Sequence, residues 1–142
     1  MNKKVIVIGG GAAGCIAAFM AAKNGHSVTL FEKNTFSGKK LRITGKGRCN
    51  VTNDSDEETI LKNIRTNPKF MFSSIYQYPP AKVMEFFEYM GVPLKTERGK
   101  RVFPVSDKAQ DVVDDTEGGV IGTKANDVEH SLEDHADGDG VG

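Results

Sequence analysis

The sequence predicts an α/β protein, with a βαβ unit at the N-terminus, an incomplete parallel sheet, then helices and an acidic terminal tail expected to be disordered. Three observations carry this. A β-branched run, a glycine-punctuated turn, a small-residue helix and a second strand follow one another between Lys4 and Glu32. Apolar residues then recur at helical spacing, with few runs that read as strands. After Asp114 the composition changes abruptly.

In the first unit, Val5 to Ile8 are all apolar and β-branched, which predicts a strand buried on both faces of a parallel sheet. Gly9, Gly11 and Gly14 follow in the spacing G-x-G-x-x-G. Ala12 to Lys23 is rich in small and apolar helix formers, and Gly25 stands where a helix end favours a left-handed residue. Ser27 to Phe31 forms the second strand, and Glu32 follows it, 18 residues beyond Gly14. The order is that of a Rossmann-like βαβ unit, and each part meets a need of a dinucleotide. Gly9 permits the sharp strand-to-helix turn, Gly11 lets backbone approach a pyrophosphate, and Gly14 lets helix and strand pack closely. The helix start, at Ala12 and Ala13, offers N–H groups and a positive dipole end to phosphate. Glu32 is placed to accept hydrogen bonds from ribose hydroxyls, and its charge disfavours the 2′-phosphate of NADP. A solvent-facing acid at a strand end is the plainer alternative for Glu32. Gly9, Gly11, Ala12, Ala13, Gly14, Glu32 and Lys33 are the candidate cofactor residues of this unit.

The net charge of zero conceals two unlike segments. Residues 1–114 hold 18 of 19 basic and 11 of 19 acidic side chains, whereas residues 115–142 hold one base, eight acids, six glycines and none of the aromatic residues. The expected organisation is therefore residues 1–114 as part of a cofactor-binding domain and residues 115–142 as the acidic tail. Two cysteines, Cys15 and Cys49, make no disulfide framework, and no apolar run reaches the roughly 18 residues of a membrane span. A reduced, cytoplasmic protein with no membrane or nucleic-acid partner is expected. Cys15, at the first helical turn, reads as a packing residue without a catalytic role.

Residues 39–50 carry Lys39, Lys40, Arg42, Lys46 and Arg48 with no acid among them. Such a run fits either an anion or a solvated loop. The motifs GKKL, TGKGRCNVTN and RVFPVSDKAQDVVD occur here in order, the last ending at Asp114. With the opening βαβ unit they resemble the N-terminal region of the 3-dehydro-bile-acid Δ4,6-reductase-like FAD-dependent oxidoreductases, also known as the aminoacetone oxidase family. The resemblance implies FAD in a fold of the two-dinucleotide-binding-domain type, with NAD(P)H as electron donor in the full-length family. It also implies that Lys40, Arg42, Gly47, Arg48, Cys49 and Asn50 line the FAD site. Arg48 is the favoured phosphate ligand, because a guanidinium grips phosphate oxygens in a two-pronged way. Cys49 lacks a nearby partner cysteine and has little claim to a redox role.

The middle of the chain reads as helical support. Ser55-Asp56-Glu57-Glu58 fits a capping box ahead of Ile60, Leu61 and Ile64. After Pro79-Pro80, residues Val83, Phe86, Phe87 and Met90 form an apolar stripe in a helix that Gly91 ends. Val92 to Thr96 and Arg101 to Phe103 suggest a hairpin around Arg98-Gly99-Lys100, and Ser106 is expected to cap a last helix through about Val113. In the tail, one short helix around Val128 and Leu132 is conceivable, and Gly138-Asp139 resembles a flavoprotein closing motif only by coincidence. His130 and His135 are five residues apart rather than the four that share a helix face, so no metal site is expected. Three readings of function follow: an FAD-binding portion of a flavin-dependent oxidoreductase, an inactive truncated or frameshifted fragment with weak nucleotide binding, or an NAD-binding dehydrogenase module. The switch after Asp114 and the shortage of strands after Glu32 predict a chain too short to be a working oxidoreductase by itself.

Overall fold

The structure, a computed structural model, describes residues 1–114 and 129–131. It divides into two compact units, one built on Met1–Lys39 with residues 129–131, the other on residues 40–114.

In the first unit, β1 (Lys4–Ile8) and β2 (Ser27–Phe31) pair in parallel, from Lys4 opposite Ser27 to Ile8 opposite Phe31. Between them α1 (Ala12–Lys23) buries Cys15, Ala18, Phe19 and Ala22, a single stripe at spacings of three and four residues. The helix ends as the sequence predicts. Gly25 takes φ +80° and donates its N–H to the Ala22 carbonyl at 2.9 Å. Val28 and Leu30 are buried, as befits the central strand. The expectation for β1 needs correcting, because Ile6 and Ile8 remain 66% and 86% exposed. Strand residues alternate between faces, and only the face carrying Val7 meets α1, at its Gly14 turn; the other face has no cover among the described residues.

A third parallel strand, which we number β6 because three others precede it in the chain, comprises Glu129–Ser131 and pairs with β2 from Thr29 to Phe31. The sheet order is thus β1-β2-β6. Residues between Val128 and Leu132 are extended where a short helix was conceivable, because they continue the hydrogen-bond ladder of β2. The remainder of the expected disordered tail, with Gly138-Asp139 and His135, lies outside the described residues.

The second unit holds an antiparallel sheet in the order β3-β5-β4: β3 is Thr52–Asn53, β4 is Leu94–Glu97 and β5 is Arg101–Pro104. The predicted hairpin turns through Gly99 and Lys100, both at positive φ. Its first strand starts at Leu94 rather than Val92, since Val92 donates its N–H to Phe87 and still belongs to the preceding helix end. Around the sheet lie α2 (Lys39–Ile43), α3 (Glu57–Asn63), α4 (Pro68–Gln77), α5 (Pro80–Tyr89) and a helical segment at 109–114. Cys49, Val92, Ala109 and Val112 form the core, packed by Leu41, Val51, Phe87 and Leu94.

The start of α3 differs from expectation. The cap of α3 is Asp56, whose carboxylate accepts from the Thr59 N–H at 2.8 Å, while the Ser55 hydroxyl is engaged with Asn53 at 2.6 Å. Helix α4 carries Pro68 in its first turn and turns Phe70 and Phe72 outward, with Met71 and Ile75 half-buried one turn apart.

Candidate functional site

The glycine turn between β1 and α1 is held from several sides. Gly9, at φ +100°, donates its N–H to the Phe31 carbonyl at 2.7 Å. The Gly10 N–H donates to Oε2 of Glu32 at 2.6 Å, and the Gly10 carbonyl accepts from the Gly38 N–H at 2.7 Å and from the Cys15 thiol at 3.6 Å. A side chain at Gly10 would strike Oγ of the buried Ser37 at 2.8 Å. At Gly14 a Cβ would lie 1.8 Å from the Gly9 carbonyl oxygen, so helix and turn meet there only through glycine.

Gly11 is different. Its φ is −80°, which any residue adopts, and a Cβ built on it meets nothing within 4 Å. Neither backbone nor packing within this unit requires glycine at that point. Gly11, Ala12 and Ala13 are all exposed, at the end of α1 where the first amides have no acceptors inside the helix and the dipole is positive. The surface is small, open and electropositive, as an approaching phosphate requires.

Glu32 anchors this turn. Besides the Gly10 bond, its Oε1 accepts from both the main-chain and the side-chain nitrogen of Asn34. The Asn34 main-chain N–H is the strongest influence holding the carboxyl below the usual range, aided by Gly10, the Asn34 amide and Lys33 and opposed by partial burial. An ionised carboxylate offers about four lone-pair positions, so acceptor capacity remains beyond these three bonds. Lys33 is exposed beside it.

In the second unit the basic segment folds into a left-handed turn. Gly45, Lys46 and Gly47 have φ of +58°, +58° and +85°, and Cys49 has +61°. A side chain at Gly45 would meet the Phe103 ring at 2.8 Å. Arg48 is committed to partners within this unit. Its Nη1 lies 3.0 and 3.1 Å from the two carboxylate oxygens of Glu97 and 3.2 Å from Asp107, and its guanidinium stacks 4.0 Å from the Phe103 ring centre. Lys95 joins the same acids, at 2.6 Å from Asp107 and 3.5 Å from Glu97. Cys49 is buried in the core, where burial pushes its thiol up more than a Thr44 hydrogen bond pulls it down. The Asn50 amide faces the Thr52 and Val102 carbonyls at 3.0 and 3.1 Å and donates to both when its nitrogen is turned inward. Lys40 and Gly47 are exposed and Arg42 is half-buried.

The structure therefore gathers Gly9, Gly11, Ala12, Ala13, Gly14 and Glu32 at one turn, and Arg48, Cys49 and Asn50 at another. It adds Gly10, Asn34, Ser37 and Gly38 to the first and Glu97, Phe103 and Asp107 to the second, contacts that sequence spacing does not announce. Among the described residues no three His, Cys, Asp or Glu side chains form a metal-binding group, and no helix is long and apolar enough to cross a membrane. His135 and the side chain of His130 lie outside what the structure describes.

The sequence profile of the HI0933-like protein Rossmann domain matches residues 3–133. The chain belongs to this family. The HI0933-like chain is 34% identical over 116 residues to the 3-dehydro-bile acid delta(4,6)-reductase of Clostridium scindens, covering 80% of its own length and 27% of that protein. It is 41% identical over 73 residues to the ribosomal RNA dihydrouridine synthase of Haemophilus influenzae, covering 51% of itself and 18% of the relative. It thus spans about a quarter or less of the curated relatives it matches. The fold is similar to that of THI4 from Thermovibrio ammonificans, with a TM-score of 0.57 at 15% identity, over 91% of this chain and 37% of the other.

Proposed function

We propose that this HI0933-like Rossmann domain is the N-terminal FAD-binding portion of a flavin-dependent oxidoreductase. The observation that carries the reading is Gly11: an open, exposed glycine, unneeded by its own backbone or packing, set between Gly9 and Gly14, which the fold does need. Glycine there makes sense if a phosphate group must come against the main chain. Gly11, Ala12 and Ala13 present helix N–H groups to the pyrophosphate, Gly9 and Gly14 set the turn, and Glu32, beside Lys33, directs spare carboxylate lone pairs to the ribose. The reductase and dihydrouridine synthase activities for which these relatives are named favour redox chemistry of this kind. Lys40, Arg42, Gly47, Arg48, Cys49 and Asn50 are further candidates for contact with FAD, on the resemblance of their segment to that of the flavoprotein family. Bound flavin would supply hydride or electron transfer, while these residues bind and orient it. NAD(P)H as donor and a cytoplasmic setting complete the reading.

Equilibrium dialysis of the 142-residue chain against FAD and, separately, NAD tests it directly. FAD should bind more tightly than NAD, and Gly11→Val should abolish the binding while leaving the circular dichroism spectrum unchanged. Equal retention of FAD by the Gly11→Val protein would overturn the reading, and preference for NAD would favour a dehydrogenase module.

A further inference from the structure

Arg48 has the chemistry of a phosphate ligand and the surroundings of a structural pillar. Its guanidinium faces two carboxylates and lies on an aromatic ring, and Lys95 completes an alternating quartet of two cations and two anions with no net charge. This quartet flanks a costly piece of backbone. Lys46 and Cys49 both hold positive φ, a conformation that a residue with a Cβ rarely adopts. A turn with two such residues persists only where its surroundings over-determine it. Those surroundings are the Phe103 ring against Gly45, the buried Cys49 sulfur, the Asn50 amide, and Arg48 tied to acids 49 and 59 residues away in sequence. Asp107 is itself at φ +58°, so both ends of the Arg48–Asp107 bridge stand on left-handed turns or next to them.

We infer that Glu97 and Asp107 are positioning residues for the 45–50 turn, acting through Arg48 stacked on Phe103, and that Arg48 holds this turn in shape rather than gripping phosphate. The inference rests on the FAD reading above for what the turn serves. It distinguishes two roles for Arg48 by the sign of one effect. If the guanidinium bound phosphate, Glu97 would compete for it, and removing that carboxylate would tighten FAD binding. If the guanidinium positions the turn, removing the carboxylate loosens it.

The test uses Glu97→Gln, Asp107→Asn, Arg48→Ala and Arg48→Lys in the full chain, with FAD affinity read by flavin fluorescence. Each of the two acid variants should weaken binding about two- to fivefold, the scale of a partly solvated ion pair. Arg48→Lys should resemble Arg48→Ala, because an ammonium supplies neither the fork nor the stacking plane. The Arg48→Ala, Glu97→Gln double variant should be no worse than Arg48→Ala alone, since both remove one coupled unit. The visible circular dichroism of FAD at saturation should change in the acid variants, which a role confined to global stability would not produce. Tighter binding in Glu97→Gln would overturn the inference. Tryptic cleavage after Lys46, followed without FAD, reads the turn independently: it should accelerate several-fold in Glu97→Gln and Asp107→Asn. Unchanged cleavage sinks the inference, whereas accelerated cleavage in a protein that never binds FAD sinks the cofactor reading instead.

Discussion

The carboxylate of Glu32 accepts a 2.6 Å hydrogen bond from the main-chain N–H of Gly10, linking the end of β2 to the middle of the glycine turn. Sequence spacing assigns Glu32 to a bound ribose, yet the same side chain fixes the loop that would meet the phosphates. Under the FAD reading, one residue joins the shape of the turn to the binding of the ribose.

Glu32 should make the first unit acid-sensitive. Its carboxyl is held below the ordinary value, chiefly by the Asn34 N–H and also by Gly10, so the folded state favours the ionised form. The stabilisation is present above the ordinary carboxylate value of about 4.3 and is lost as pH falls through the lowered one. Thermal denaturation followed from pH 6 down to pH 3 should show this loss, and Glu32→Gln should remove its share of the pH dependence. At neutral pH, Glu32→Ala should weaken FAD binding by roughly 1.5–3 kcal/mol, the usual worth of bonds to a charged acceptor.

Gly14 and Gly11 should respond oppositely to alanine. A methyl at Gly14 meets the Gly9 carbonyl at 1.8 Å, so helix and turn must separate. Overpacking of this kind costs about 1–3 kcal/mol or more, and Gly14→Ala should lower the urea midpoint. Gly11→Ala meets open space at an ordinary φ, so its midpoint should hold while its FAD affinity falls. Equal stability losses in both would contradict the separation of a packing glycine from a ligand glycine.

Cys49 should be silent toward thiol reagents in the folded protein. It is 1% exposed and its thiol is pushed up by burial, so the neutral form is favoured in the fold. That preference stabilises the fold below the ordinary thiol value of about 8.5 and is lost as pH rises towards the raised value. With Cys15 also buried, Ellman's reagent at pH 8 should label neither cysteine rapidly, and both after denaturation. Rapid native labelling of Cys49 would show that its pocket opens.

Asp56, rather than Ser55, should carry the cap of α3. Asp56→Ala removes the acceptor for the Thr59 N–H and should lower the urea midpoint. Ser55→Ala loses only a side-chain bond to Asn53 and should cost less in the same urea titration.

The local order of elements was written in the residues themselves. VIVI, the three spaced glycines, the alanine-rich helix and Gly25 each act through near neighbours, so β1, the turn, α1 and β2 are legible in the sequence. The stripe in α5 and the hairpin at Gly99 were legible for the same reason. Burial of β1 is not legible because an all-apolar strand reports what each face tolerates, while cover depends on which elements arrive, and the face carrying Ile6 and Ile8 has none among the described residues. Short β3 and the β6 pairing depend on partners distant in sequence and leave almost no periodic trace. Arg48 shows the limit most sharply. Its position in a basic run suggests a phosphate ligand, but Glu97, Asp107 and Phe103 reach it only through the antiparallel sheet. Residue type and spacing determined which groups could serve an anion; the tertiary structure decided which of them already had a partner, because hydrogen bonds and ion pairs depend on distance in space, whereas spacing measures distance along the chain.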